Sequence, residues 1–216
     1  MNLTEIEKEY RKSLENEVDL LQDLYLHIKS NYLIPKNGNE ISKVILLRMK
    51  SYYDGKNKIK ELLNKRYLLA GSDFFVETVV FYLKLYCEMY STKLEIHSER
   101  QIRKKRGAIR PDISVWKNDE VTCIIECKTQ LGWNRYNWED DFRKRETKLK
   151  SEFPNAQAFL LVMTSENWSG FPENEDEKLN QFFTLSSVWP PNIVINNIND
   201  IIINPIETLF KKIISI

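Results

Sequence analysis

The sequence predicts an α/β fold in which helices pack on a mixed central sheet and a helical segment precedes this core. Apolar residues recur at three- and four-residue steps over the first 70 positions, as amphipathic helices require. Two β-rich runs, 109–116 and 121–128, are joined by a short polar turn that is typical of a hairpin. A charged helical run then leads to a short apolar run at 158–163, and this order implies a right-handed parallel crossover.

Composition gives no whole-molecule signal for a polyanion partner. The 216 residues include 32 Lys or Arg and 31 Asp or Glu, so the net charge is only +1 and nucleic-acid affinity would require local clustering. Cys87, Cys123 and Cys127 lie in apolar runs without CxxC spacing, which indicates reduced core residues. Because no apolar stretch is long enough to span a bilayer and the N-terminus is charged, we expect a cytoplasmic protein without a membrane partner.

Residues 1–70 are predicted to form a helical appendage. Its first helix runs from Leu3 to Ile28, a second from Ile41 until Asp54-Gly55 ends it, and a third from Ile59 to Leu69. No chemical motif occurs in this segment. Two roles are open to it, namely covering the core or pairing with a second copy of the chain.

Residues 71–216 are predicted to form the core together with a C-terminal extension. A strongly apolar helix capped by Ser72 or Asp73 opens this part and must be largely buried. A strand at Leu94–Arg103 follows, and then the hairpin formed by Ile109–Trp116 and Val121–Lys128. Next come a charged helix from Asn137 to Phe153 and a strand at Ala158–Met163. The last predicted element is a strand or short helix at Ile201–Ile216.

Two carboxylates and a lysine, Asp112, Glu126 and Lys128, interrupt the otherwise apolar hairpin. Burying such groups costs several kcal/mol unless they are paired or bind a cation. Side chains alternate along a strand, so Glu126 and Lys128 share one face. If Asp112 is opposite Glu126, the same register pairs Lys117 with Val121 across a three-residue loop, Asn118–Glu120.

In that register the two carboxylates could hold Mg²⁺, completed by the backbone carbonyl of Cys127 and by water, since Mg²⁺ prefers oxygen ligands. Such an ion would activate a bound water and offset charge at a phosphate. As an ammonium beside two carboxylates, Lys128 is better suited to electrostatic positioning of that water than to the role of general base. The residues thus predict a divalent-cation site with a lysine beside it, suited to hydrolysis by a metal-bound water.

The pattern Pro111-Asp112, thirteen residues, Glu126-Cys127-Lys128 resembles the signature of the PD-(D/E)XK nuclease superfamily, which includes many restriction endonucleases. The resemblance covers roughly residues 72–164 and implies a restriction-endonuclease-like core, Asp112 and Glu126 as metal ligands, Lys128 as the catalytic lysine, and a 5′-phosphate product. Members often carry a glutamate on the helix before the sheet, and Glu77 matches it. Glu77 also falls on a charged stripe that could be the solvated face of this helix.

A basic cluster precedes Asp112 and contains candidate phosphate ligands, although such a loop can also be a solvated turn. Arg135 follows the lysine strand between Trp133 and Tyr136, where stacking on bases or packing of a helix start are both open. Arg143, Lys144 and Arg145 alternate with acids, which favours a solvent-exposed helix face. The candidates of the basic cluster are Arg103, Lys104, Lys105, Arg106 and Arg110.

Other catalytic classes lack their motifs. The two histidines have no second histidine or cysteine nearby in sequence, and no P-loop or dinucleotide motif occurs. The resemblance to the PD-(D/E)XK superfamily therefore implies a nuclease of restriction or phage-defence type, using Mg²⁺ or Mn²⁺ on duplex DNA. Cutting both strands favours a homodimer. The alternatives are an RNA nuclease and a binding module with little activity on the same fold.

Overall fold

The computed structural model describes residues 3–35, 37–131, 137–168, 171 and 180–216, which divide into two compact units, Met1–Ile34 and Pro35–Ile216. The first unit contains helices α1 (Leu3–Ile6) and α2 (Lys8–Asn31). Glu7 between them keeps helical dihedral angles, so the helix predicted from Leu3 forms with almost no break. Neither helix has a buried residue within the structure.

The predicted boundary at residue 70 differs from the observed one because helix α3 (Glu40–Leu62) belongs to the second unit. Ile45, Leu46 and Met49 of this helix are fully buried. The helix also continues through Asp54-Gly55, where two separate helices were predicted. A glycine inside a helix costs only about 1 kcal/mol, and Asp54 pairs with Lys50 one turn earlier at 3.1 Å.

The second unit is built on a five-stranded mixed sheet with the spatial order β1-β2-β3-β4-β5. The first three strands are antiparallel neighbours, whereas β3, β4 and β5 run parallel, which confirms the predicted mixed sheet and crossover. The last strand was not identified from the sequence. The strands are β1 (Glu95–Ser98), β2 (Ile113–Lys117), β3 (Glu120–Lys128), β4 (Gln157–Thr164) and β5 (Phe182–Ser186).

Helices cover both faces of the sheet. Helix α4 (Ser72–Met89) is the predicted buried helix and contacts β1 and β3, and α5 (Trp138–Glu152) crosses from β3 to β4. Ile124 of β3 packs with residues of α5, whereas Cys127, on the opposite face, shares a cavity with residues of α4. The C-terminal segment ends in helix α6 (Ile206–Ile214). None of the described helices is long and apolar enough to cross a membrane.

The hairpin register is the one predicted at its open end and differs at its turn. Ile113 pairs with Ile125 and Val115 with Cys123, but a bulge after Val115 pairs Trp116 with Val121. Lys117 therefore pairs with Glu120, not with Val121. The loop shortens to Asn118 and Asp119, which have φ values of 52° and 64°. A two-residue turn with two positive φ angles matches the twist of an antiparallel pair, which explains the shorter loop.

A buried carboxylate fixes the start of α3. Glu207 of α6 accepts hydrogen bonds through Oε1 from the backbone N–H groups of Ile41 at 2.6 Å and Ser42 at 3.4 Å. The Ser42 hydroxyl donates to Glu207 Oε2 at 2.6 Å and accepts from the Ile206 N–H at 2.8 Å. The acid thus performs, from a distant segment, the function of an N-cap residue at a helix end that favours negative charge.

Glu207→Ala is expected to lower the free energy of unfolding by about 2 to 4 kcal/mol, because three donors at a buried helix end lose a charged acceptor. Denaturant unfolding of the two proteins measures the difference. Glu40→Ala, at an exposed position in the first turn of the same helix, is the control and should change stability by less than about 0.5 kcal/mol. Equal effects of the two substitutions would contradict the capping role.

Asn118→Val should destabilise the hairpin by about 1 to 2 kcal/mol, because a β-branched residue is strained at positive φ. Asn118→Gly removes that strain and should keep or raise stability. Thermal unfolding of both variants separates backbone strain from loss of the exposed asparagine side chain, since both variants lack it. A melting temperature lowered equally by valine and glycine would be inconsistent with this turn.

Candidate active site

The hairpin brings Asp112 and Glu126 to the same position along the sheet. Asp112 lies in the bend before β2, and extending the pairing of Ile113 with Ile125 by one residue places it opposite Glu126. Its Oδ2 atom accepts a hydrogen bond from the backbone N–H of Cys127 at 2.7 Å. This contact is independent of the strand ladder and holds the aspartate beside β3.

Glu126 is a nearly buried carboxylate, with 3% of its surface exposed. Arg145 of α5 donates from Nη1 to Glu126 Oε1 at 2.8 Å. Burial raises the pKa of Glu126 to about 7, against the lowering effect of Arg145, and the Asp112 charge adds to the rise. The ion pair therefore compensates only part of the cost of burying this acid, which leaves a position where a further cation is favourable.

Lys128 lies at the end of β3 and connects two cavities. Its Nζ atom is 4.0 Å from Asp112 Oδ2, and about half of its side chain is exposed. One cavity, of about 580 Å³, is lined by Asp112 and Lys128 together with residues of α4. The other, of about 220 Å³, is lined by Glu126 and Lys128 together with Arg145 of α5. Each acid thus lines a different cavity, and Lys128 lines both.

Glu77 of α4 is exposed and lines the larger cavity with Asp112 and Lys128. The helix face that carries Glu77 thus reaches solvent and borders the candidate site. Asp73, one turn earlier, lines the same cavity. A role for Glu77 in the chemistry remains a prediction.

The donors at this site suit a magnesium ion. Among the described residues, no group of three or more His, Cys, Asp or Glu side chains is arranged to hold a metal. Mg²⁺ commonly binds through one or two carboxylates and retains several waters, so a third side chain is not required. Asp112 and Glu126 provide two carboxylates, one of them buried with its charge only partly compensated. The carbonyl of Cys127 remains a predicted ligand.

Arg145 is the residue of this constellation that sequence reasoning missed. Residues 143–145 were interpreted as a solvent-exposed helix face, and Arg145 is 41% exposed but also contacts both Glu126 and, at 3.4 Å, the carbonyl of Arg110. A signal was present in the helical spacing. Phe142 and Leu149 are buried, and Arg145 stands three residues after the first and four before the second, on the same stripe.

Two members of the basic cluster are paired with an acid, and all five remain predicted phosphate ligands. Arg103 pairs with Glu152 at 3.5 Å and stacks over the Phe153 ring at 4.1 Å, and Lys105 also pairs with Glu152. These two cations therefore fasten their loop to the end of α5. Lys104, Arg106 and Arg110 are exposed and remain predicted phosphate ligands, whereas Arg135 lies outside the described residues.

Comparisons with known proteins leave the family open. No family model matches the chain, and no curated protein matches it. A solved structure described as the native BbvCI A2B2 tetramer at low resolution is similar over 94% of this chain and 93% of that chain, with 13% identity and a TM-score of 0.30. A likeness at this level does not define the family of the chain.

All three cysteines are buried, as predicted, and none is in a disulfide. Burial raises the pKa of the Cys87 thiol to about 11 and also raises the pKa values of Cys123 and Cys127. We expect a soluble thiol reagent at neutral pH to label the folded protein slowly and to label three thiols after denaturation. Rapid labelling of Cys127 in the folded chain would contradict the packing of β3 described above.

Proposed function

We propose that this chain is a metal-dependent nuclease that hydrolyses phosphodiester bonds of DNA, of the restriction or phage-defence type. The observation that carries the proposal is the position of Asp112, which extension of the β2–β3 register puts opposite the buried Glu126, with the Lys128 ammonium 4.0 Å from the aspartate. Such a placement costs free energy and contributes no packing, so it is better explained by chemistry than by stability.

Each residue of the site has a distinct role in the proposed reaction. Asp112 and Glu126 would hold a divalent cation, which when bound supplies an activated water and offsets charge on the phosphate. Lys128 orients the attacking water and stabilises negative charge that develops on the phosphate oxygens. Lys104, Arg106 and Arg110 would contact the DNA backbone next to the scissile bond. Hydrolysis then leaves a 5′-phosphate on one product strand.

A second candidate is a nucleic-acid-binding module of low activity on the same fold. The observation that favours it is the Arg145–Glu126 ion pair, because it occupies a carboxylate oxygen that a cation would use. This candidate predicts DNA binding that weakens with salt and does not require a divalent ion. Binding in the presence of EDTA, measured beside cleavage, distinguishes it from the nuclease.

We expect the purified chain to cut DNA with Mg²⁺ or Mn²⁺ and to be inactive with EDTA. Asp112→Asn and Lys128→Gln should each reduce the cleavage rate by at least about 100-fold, because each removes charge from the reacting centre. Rates on duplex DNA, single-stranded DNA and RNA, measured side by side, identify the substrate and test the RNA alternative.

The matched control is Lys144→Gln, which removes the same charge as Lys128→Gln from an exposed position of α5, where Lys144 pairs only loosely with Asp141 at 3.6 Å. It should cut at the wild-type rate. The assignment fails if the Asp112 and Lys128 variants, folded by circular dichroism, keep full activity.

A further inference from the structure

Arg145 connects three segments of the candidate site through one guanidinium nitrogen. Its Nη1 atom donates to Glu126 Oε1 at 2.8 Å, on β3, and to the Arg110 carbonyl at 3.4 Å, two residues before Asp112. The arginine itself belongs to α5, the crossover helix. Both contacts use the same nitrogen, so the donors on Nη2 and Nε are not engaged by them.

Arg145 is also close to solvent, unlike the acid it contacts. Its side chain is 41% exposed and lines the cavity of about 220 Å³ that contains Glu126 and Lys128, whereas the Glu126 side chain is 4% exposed. A long, partly exposed side chain can move away from its partner at low cost. A buried carboxylate that loses its counter-charge must gain another cation or a proton, because an unpaired charge in this environment is strongly unfavourable.

We propose that Arg145 is an exchangeable counter-ion of Glu126: it neutralises the acid in the absence of a divalent cation and releases it when the cation binds. The two positive groups compete for the same carboxylate. Removing the arginine charge should therefore strengthen cation binding, the opposite of what removing a ligand does. This inference rests on the proposed function only in taking Asp112 and Glu126 as the cation ligands.

Release gives the arginine a second task at the site. A guanidinium displaced from Glu126 stays in the cavity that it shares with Lys128, and its planar set of donors fits two oxygens of a phosphate. Arg145 would then bind the DNA backbone only after the cation has taken its place. Cation binding and phosphate binding are thus coupled through a single side chain.

The test measures Mn²⁺ affinity of the full chain by isothermal titration calorimetry, without DNA. Arg145→Gln should bind Mn²⁺ at least about tenfold more tightly than wild type, since an opposite charge at this distance commonly changes equilibria at a carboxylate by about one to three orders of magnitude. Arg145→Lys keeps the charge and should retain affinity close to wild type. Lys144→Gln, which removes a neighbouring but 73% exposed charge, should also leave it unchanged.

A second measurement uses the wild-type chain and so does not depend on a variant that folds. The nitrogen-15 resonance of the Arg145 guanidinium, assigned by its loss in Arg145→Lys, should shift when Mg²⁺ saturates the site, as the hydrogen bond to Glu126 breaks. An unshifted resonance at saturation overturns the exchange, and so does unchanged or weaker Mn²⁺ binding by a folded Arg145→Gln chain.

These outcomes are separate from those of the nuclease proposal. Tighter Mn²⁺ binding by Arg145→Gln in a chain that cuts no nucleic acid would support the counter-ion and remove the nuclease. A chain that cuts DNA with Mg²⁺ while Arg145→Gln binds Mn²⁺ as wild type does would keep the nuclease and overturn the counter-ion.

Discussion

The antiparallel pairing of β2 with β3 is the constraint on which the candidate site depends. It places Asp112 opposite Glu126, and the two-residue turn and the bulge after Val115 keep this register despite a shorter loop than the sequence suggested. A shift by one residue would reverse the faces of all side chains in one strand. The hydrogen bond from the Cys127 N–H to the Asp112 carboxylate gives a second, side-chain restraint on the same alignment.

The negative charge of Glu126 is only partly compensated by its arginine partner, and packing alone would not require a charged side chain at this position. The acid is almost completely buried, its pKa is raised by burial, and the arginine that hydrogen-bonds to it comes from a helix that could instead have presented an apolar side chain to this position. Replacing a buried ion pair with apolar residues is often neutral or stabilising. Both charges are instead retained at the edge of the cavity of about 220 Å³, as the proposed function requires.

Local patterns predicted those parts of the molecule that depend on short-range rules. Strand alternation and the turn identified the hairpin and its carboxylates. Because successive side chains of a strand point to opposite faces, few registers put residues 112, 126 and 128 on the same face. The end of α3 was misplaced because the local Asp54-Gly55 signal was weaker than the burial of the preceding apolar residues. Arg145 was missed because its partner is 19 positions earlier in the chain, and only the parallel crossover brings them together.

The carboxylate of Glu207 joins the second unit's first helix to its last, since its partner Ser42 is 165 positions earlier. Until α6 has been made, α3 lacks the acceptor for its first amides, so its N-terminal turn cannot reach its final stability during synthesis. Contacts of such long sequence separation slow folding, because a large loop must close before they form. The contacts of Glu207 therefore belong to the slow, long-range part of the folding of this core.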